Sequence, residues 1–165
     1  MSSPRIGSPL PARLWVTPAG LGALVRRAAV YRCSPTGSEH GGTTMRDTDR
    51  ALVQAASAVA KLRCRSAAHT LATAARTAEG RVVSGVNVVH DSGGACAEVI
   101  AVGTAATQGV HDLETIVTVG DRGRSLVTPC GPCRRLLAEL FPELRVIVGP
   151  VDDPRVVPVT GLLEP

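Results

Sequence analysis

Two short cysteine motifs constrain the fold of this chain more than any other feature. "GGACAE" ends at residue 98 and "TPCGPC" ends at residue 133, and each motif opens a run of apolar residues at helical spacing. If the thiols of both motifs bind one ion, the two helix starts must lie side by side. The chain is therefore expected to place both helices on a common sheet.

The residue types in the two motifs predict a zinc site. Zinc prefers thiolate and imidazole ligands in a tetrahedron, and a CxxC at a helix start directs both sulfurs at one ion. The helix N-terminus also favours thiolate over thiol. Cys96, Cys130 and Cys133 would leave the fourth position for water, as in catalytic zinc sites. Glu98, two residues from a ligand, is predicted to transfer protons to and from that water.

Two other interpretations of the motifs stay open at this point. A redox-active CxxC is one, although it leaves Cys96 and Glu98 without a role. A closed structural zinc site is the other, with a fourth ligand supplied by His69, His90 or His111. The remaining cysteines lie outside the pattern and are predicted to be ordinary thiols.

Composition and charge exclude two classes of function. The chain has 165 residues and 44% hydrophobic content, which is enough for one domain with one buried core. Residues 1–44 hold five arginines and one acidic residue, whereas residues 45–165 hold 13 basic and 13 acidic residues. The net charge of +4 therefore belongs to the N-terminal segment, and a nucleic-acid partner is not expected. No apolar run reaches the roughly 20 residues of a membrane span.

The chain is predicted to consist of an N-terminal extension and one domain. Residues 1–44 are rich in Pro, Gly and Ser and have no sustained period, so we expect a disordered extension. The domain is expected to cover residues 45–165. Arg26 and Arg27 follow the short apolar run where a secretory signal would place small residues, so a cytoplasmic location is expected.

The hydrophobic periodicity of the domain alternates between helix and strand. In chain order it predicts a helix at 47–65, strands at 69–76 and 81–89, a helix at 96–108, a strand at 115–120, a helix at 130–140, a strand at 144–149 and a weaker strand at 155–159. Gly80 is expected in the turn of the first hairpin, and "DRGRSLVTP" is expected to be a loop. This order predicts an α/β fold in which a sheet lies between helices.

The motif pair resembles that of the cytidine deaminase superfamily, in which Cys or His is followed by Ala-Glu and later by Pro-Cys-x-x-Cys. "EGRVVSGVNVVHDSGGACAEVIAVGTAA" and "LVTPCGPCRRLLAELFP" look most similar to blasticidin S deaminase and to the small bacterial cytidine deaminases. The resemblance implies a three-layer α/β/α fold with a central mixed sheet. It also implies a homotetramer in which neighbouring subunits complete each active site.

The resemblance also implies roles for individual residues. The three motif cysteines would hold zinc, and Glu98 would move a proton from water to the ring nitrogen and then to the departing amine. Asn87 in "GVNV" would contact the sugar, or the corresponding part of the substrate. The backbone around Ala97 and Thr128 would border the pyrimidine ring.

The chain departs from the pattern of cytidine deaminases at several positions. Val89 stands where they carry a ribose-binding Glu, and His69 stands where they carry an aromatic residue. Val99 stands where many of them place an Arg after the catalytic Glu, and Arg134 or Arg135 is the candidate substitute. The stacking of a base is therefore expected to depend on histidine or aliphatic side chains.

Together with the resemblance, these features predict a zinc-dependent hydrolytic deaminase of pyrimidine salvage that acts on a cytosine nucleoside of the cytidine or deoxycytidine type, or on an analogue of one. An antibiotic-resistance enzyme of the blasticidin S deaminase type is the alternative within the same chemistry. A zinc-stabilised domain without turnover is the alternative outside it.

Overall fold

The structure is a computed structural model, and it describes residues 45–163. The extension predicted for residues 1–44 lies outside the described residues. Within them the helices are α1 (Asp47–Arg63), α2 (Ala97–Thr107) and α3 (Gly131–Leu140). The strands are β1 (Ala72–Thr77), β2 (Val82–Val86), β3 (Leu113–Gly120), β4 (Ser125–Leu126), β5 (Arg145–Val148) and β6 (Arg155–Pro158). None of the described helices has the length and hydropathy that a membrane span requires.

All six strands of the described region belong to one mixed sheet. Its order is β2-β1-β3-β5-β6, and the short β4 pairs with the end of β3 beyond β5. β3 and β5 are parallel, whereas the other pairs are antiparallel. Gly80 has φ 87° in the turn between β1 and β2, a conformation that glycine adopts without strain, as the sequence predicted.

The alternation of side chains along the strands gives the sheet two buried faces. On one face Ala72, Val117 and Ile147 pack against a stripe of α1 that includes Leu52 and Ala56. On the other face the strand residues of a second cluster pack against Ala105 of α2 and Leu137 of α3. The predicted three-layer α/β/α arrangement with a central mixed sheet is therefore confirmed.

Gly85 allows α2 to lie close to the sheet. A Cβ at this position would be 2.6 Å from the carbonyl oxygen of Ala97, so only glycine fits without displacing the helix backbone. The first turn of α2 is thereby pressed against β2. This contact sets the distance between the sheet and the N-terminus of α2, where the first cysteine motif lies.

The segment between β3 and α3 differs from the sequence prediction. "DRGRSLVTP" was expected to be a loop, but it contains a 3₁₀ turn at Asp121–Gly123 and strand β4. β4 consists of two residues, which is too short for any periodicity to mark it. Its pairing with Val119 and Gly120 leads the chain back along β3 to the second cysteine motif.

Candidate metal centre and active site

The two cysteine motifs meet because each begins a helix on the same face of the sheet. Cys96 is the N-cap residue of α2 and Cys130 is the N-cap residue of α3. Cys133 lies in the first turn of α3 and is 2% exposed. Both helix N-termini therefore direct backbone N–H groups and a positive dipole end towards the thiols, which stabilises thiolate.

The three sulfurs have the spacing that zinc requires. The Sγ atoms of Cys96 and Cys130 are 3.8 Å apart, and the three Sγ atoms all lie within 4.8 Å of one another. A tetrahedral ion with Zn–S bonds of about 2.3 Å separates two sulfur ligands by about 3.8 Å. The thiols fit such an ion. Within residues 45–163 this metal-binding group consists of the three cysteines, without a histidine.

The electrostatics of the cluster also favour a cation. Burial raises the pKa of the Cys133 thiol, and hydrogen bonding to Cys130 and the nearby Glu98 carboxylate raise it further. Burial also raises the pKa of the Cys96 thiol. Burial also tends to raise the pKa of the Cys130 thiol. Hydrogen bonds with Cys133 together have the larger effect, so the pKa of Cys130 is lowered. Thiolates close to one another and beside a buried carboxylate accumulate negative charge, which a divalent cation offsets.

Glu98 lies between the thiol cluster and the sheet. It is in the first turn of α2, its side chain is buried, and its residue exposure is 3%. Oε1 accepts a hydrogen bond from the Thr118 hydroxyl at 3.0 Å, and Oε2 is 3.9 Å from the Cys133 sulfur. The carboxylate is thus held beside the sulfurs with one oxygen free of the Thr118 contact. Sequence reasoning does not single out Thr118, because a lone threonine in a strand carries no motif.

Asn87 joins the segment after β2 to the segment before β1. Its Oδ1 accepts hydrogen bonds from the backbone N–H groups of Thr70 at 2.8 Å and Leu71 at 2.7 Å. Its Nδ2 donates to the Thr70 hydroxyl at 3.0 Å. Most of the hydrogen-bonding capacity of this 5% exposed residue is therefore used within the protein, and one amide N–H is left over.

A cavity of about 240 Å³ lies beside the first cysteine. Its lining includes Cys96, Asn87, Leu71 and Val89, and most of the lining is apolar. Of the three residues predicted to contact the substrate, Asn87 therefore borders this cavity. Ala97 is buried at the start of α2, and Thr128, the first residue of the second cysteine motif, is exposed.

Of the three histidines that could have closed a structural zinc site, His111 is exposed and outside the metal-binding group of the described residues, and the other two have hydrogen-bond partners. The Nδ1 atom of His69 is 2.7 Å from the carbonyl oxygen of Asn87, so Nδ1 carries the proton in this contact. The Nδ1 atom of His90 accepts a hydrogen bond from the backbone N–H of Ser92 at 3.1 Å. Neither ring belongs to the metal-binding group of the described residues.

Arg134 is anchored beside the second cysteine motif. Its Nε donates to the carbonyl oxygen of Pro129 at 2.8 Å, and its Nη1 donates to the carbonyl oxygen of Leu162 at 3.1 Å. Arg135 is exposed, and both arginines line a cavity of about 330 Å³ at the start of α3. This cavity is larger than the one beside Cys96, but neither Glu98 nor any of the three cysteines lines it. Of the two candidate substitutes for the missing Arg after Glu98, Arg134 is therefore the one held by backbone carbonyl oxygens.

The comparisons with known proteins agree with this geometry. Residues 46–149 match the family described as the cytidine and deoxycytidylate deaminase zinc-binding region. The match covers more than half of the chain and includes both cysteine motifs. The chain belongs to this family, and zinc is its cofactor.

Two curated relatives share the same region. The chain is 36% identical over 89 residues to blasticidin-S deaminase from Bacillus cereus, and the match covers 48% of this chain and 64% of the relative. It is 39% identical over 74 residues to cytidine deaminase from Halalkalibacterium halodurans, with 43% and 55% covered. The chain thus spans less than two thirds of the length of either relative.

A solved structure gives the same fold. The crystal structure of cytidine deaminase from Mycobacterium leprae superimposes with a TM-score of 0.60 and 28% sequence identity, covering 70% of this chain and 97% of that chain. The predicted resemblance to the cytidine deaminase superfamily is therefore confirmed by sequence and by fold.

Proposed function

We propose that the protein is a zinc-dependent hydrolytic deaminase that converts a cytosine nucleoside to its uracil form and releases ammonia. Cytidine and deoxycytidine are the substrates proposed first. The observation that carries the proposal is the position of Glu98, a 3% exposed carboxylate held 3.9 Å from the sulfur of Cys133. Membership of the deaminase family supports it.

The proposed zinc ligands are the thiolates of Cys96, Cys130 and Cys133. When bound, zinc lowers the pKa of a water molecule to about 7 and so makes hydroxide available at neutral pH. The chain contributes the charge and the geometry of the ligands. The N-termini of α2 and α3 stabilise the thiolates, and the packing of both helices on one sheet face fixes the sulfur spacing.

Glu98 is proposed to carry the protons of the reaction. Water adds to the ring carbon that bears the amino group, Glu98 accepts a proton from that water, and it passes the proton to the ring nitrogen. A second proton then goes from the adduct through Glu98 to the amine, which leaves as ammonia as the carbonyl forms. Burial of the carboxylate keeps bulk water from competing for these protons.

The substrate is proposed to enter the cavity of about 240 Å³ beside Cys96. There Asn87 would offer its remaining amide N–H to the sugar, or to the corresponding part of the substrate. The backbone around Ala97 and Thr128 would border the ring. His90 lines this cavity, and its imidazole ring would be available to the base.

A substrate with a modified sugar, as in blasticidin S, is the second candidate. The observation that favours it is Val89, which lines the cavity and is 53% exposed. A valine there offers no carboxylate to the hydroxyl groups of a ribose. The 36% identical relative named blasticidin-S deaminase supports the same alternative.

A homotetramer and a cytoplasmic role in pyrimidine salvage complete the proposal. The outer side of α2 carries Val99, Gly103 and Ala106, all exposed and none charged. A second copy of the chain would remove this surface from water. The free thiols among residues 45–163 are in keeping with a reducing compartment.

The proposal is tested on the purified, zinc-loaded chain with cytidine, deoxycytidine and blasticidin S in parallel. Loss of ultraviolet absorbance together with ammonia release on the first two supports the leading function, and release on blasticidin S alone supports the second. If zinc is bound and none of the three releases ammonia, the domain is a zinc-stabilised module without this activity. Light scattering on the same sample measures the molar mass and so tests whether the protein is a tetramer.

A further inference from the structure

Behind Glu98 lies a buried pair of threonines that the zinc chemistry does not require. Thr73 on β1 and Thr118 on β3 are directly opposite each other in the antiparallel pairing of these strands. Their hydroxyl oxygens are 2.7 Å apart, and the Thr118 hydroxyl is 3.0 Å from Oε1 of Glu98. Thr73 is 0% exposed and Thr118 is 1% exposed, so solvent does not reach the pair.

The direction of these hydrogen bonds follows from the donors available. An ionised carboxylate only accepts, and a threonine hydroxyl has one proton to donate. Because Thr118 donates that proton to Glu98, its oxygen must accept the proton of Thr73. The chain of donors therefore runs from Thr73 to Thr118 to Glu98, and each bond polarises the next.

The two successive hydrogen bonds end on only one of the two carboxylate oxygens of Glu98. Oε1 is bonded to Thr118, and the other oxygen faces the thiol cluster. A glutamate side chain has three rotatable bonds, and its proton transfer depends on the orientation of the carboxylate plane. A displacement of about 1 Å in a catalytic group lowers the rate by as much as roughly 10²-fold.

We propose that Thr118, supported by Thr73, is a positioning residue that holds the Glu98 carboxylate in the orientation in which it transfers protons. The inference rests on the proposed function, and it adds two strand residues to those proposed for the site. Thr118 belongs to β3, the central strand of the sheet, so the orientation of the carboxylate depends on a strand that is paired on both sides.

The first test compares Thr118→Val with Thr118→Ser in the zinc-loaded protein. Valine keeps the shape and removes the donor, so kcat is expected to fall by about 10- to 100-fold with little change in KM. Serine keeps the donor, so kcat is expected to return to within a few-fold of the wild-type value. Zinc content is expected to stay at the wild-type level in both variants, because Thr118 is not a ligand.

A matched control separates positioning from simple structural support. Thr115 is also fully buried on β3, but its hydroxyl contacts Arg145 at 2.7 Å on the opposite face of the sheet. Thr115→Val is expected to lower the melting temperature and leave kcat unchanged. Equal losses of kcat in Thr115→Val and Thr118→Val, or no rescue by serine, would overturn the positioning role.

A second readout does not depend on turnover. In a double-mutant cycle on melting temperature, Thr118→Val is expected to lower the midpoint by about 5 °C when Glu98 is present, because a buried charged acceptor loses its donor. In the Glu98→Ala background the same change is expected to have a much smaller effect. Equal shifts in both backgrounds would show that the hydroxyl does not act on Glu98.

The outcomes distinguish this inference from the function on which it rests. A wild-type protein that releases no ammonia from any nucleoside overturns the proposed function and this inference with it. Normal turnover in the wild type with an unchanged kcat in Thr118→Val overturns the inference alone. If Thr118→Val does not fold, Thr73→Val replaces it, with an expected loss of kcat of about 3- to 10-fold.

Discussion

At the scale of single residues, the two oxygens of the Glu98 carboxylate have different neighbours. One oxygen accepts a hydrogen bond from Thr118 at 3.0 Å, and the other lies 3.9 Å from the sulfur of Cys133. Since the side chain is buried, its proton partners in the proposed reaction are the attacking water and the substrate. A substitution that removes the charge and keeps the shape therefore isolates proton transfer from metal binding.

Glu98→Gln is expected to lower kcat by about 10⁴-fold or more. General acid–base groups contribute roughly 10²- to 10⁴-fold, and this carboxylate would serve several proton transfers in one turnover. Zinc content is expected to stay near the wild-type value. Ammonia release and metal analysis on the same sample measure both. Near-normal turnover would place the base elsewhere, and loss of zinc would make Glu98 a ligand.

Cys133→Ala is expected to lower both zinc content and the melting temperature, because thiolate–zinc bonds join α2 to α3. Cys130→Ala is expected to act in the same way. Cys64→Ala is the matched control, since Cys64 is a free thiol that is only 5% exposed and lies outside the thiol cluster. A Cys133→Ala protein that still binds one zinc per chain would show that the cluster is not the metal centre.

At the scale of the elements, a buried ion-pair network fixes α1 to the sheet. Asp49 of α1 is 0% exposed, and its Oδ1 is 3.0 Å from Nη2 of Arg76 on β1 and 3.5 Å from Nη2 of Arg145 on β5. Glu114 of β3 joins the same network through Arg76 at 3.3 Å. One helix and three strands therefore depend on each other at the end of the sheet away from β4.

Asp49→Ala is expected to lower the free energy of unfolding by about 3–5 kcal/mol, because Arg76 would keep a buried charge with less compensation. The free energy of unfolding is measured by urea titration, with circular dichroism as the signal. Asp47→Ala is the control in the same helical turn, and no measurable change is expected there because that carboxylate is fully exposed. Equal effects of the two changes would mean that the network does not stabilise the fold.

The sequence was sufficient to predict the elements that carry the thiols. Cys96 and Cys130 stand directly before runs with helical spacing, so their places at the helix starts followed from local pattern. The contact between Thr73 and Thr118 could not be predicted in this way. It depends on which strands are neighbours and in what register, and strand order is set by packing between residues that are far apart in the chain.

At the scale of the whole molecule, the described region contains both layers of core that the fold requires. The cluster under α1 and the cluster under α2 and α3 lie on opposite faces of one sheet. The site lies where the two helices of the second layer begin. Its geometry therefore depends on the sheet as a unit rather than on a loop.

Removal of residues 1–44 is expected to leave the melting temperature, zinc content and turnover close to those of the full chain. The reason is that residues 1–44 have no sustained hydrophobic period and that every proposed site residue lies after them in the sequence. A chain that begins at Met45 is compared with the full chain by circular dichroism, metal analysis and ammonia release. A truncated chain that fails to fold, or that binds zinc and is inactive, would show that the first 44 residues contribute to the domain or to its site.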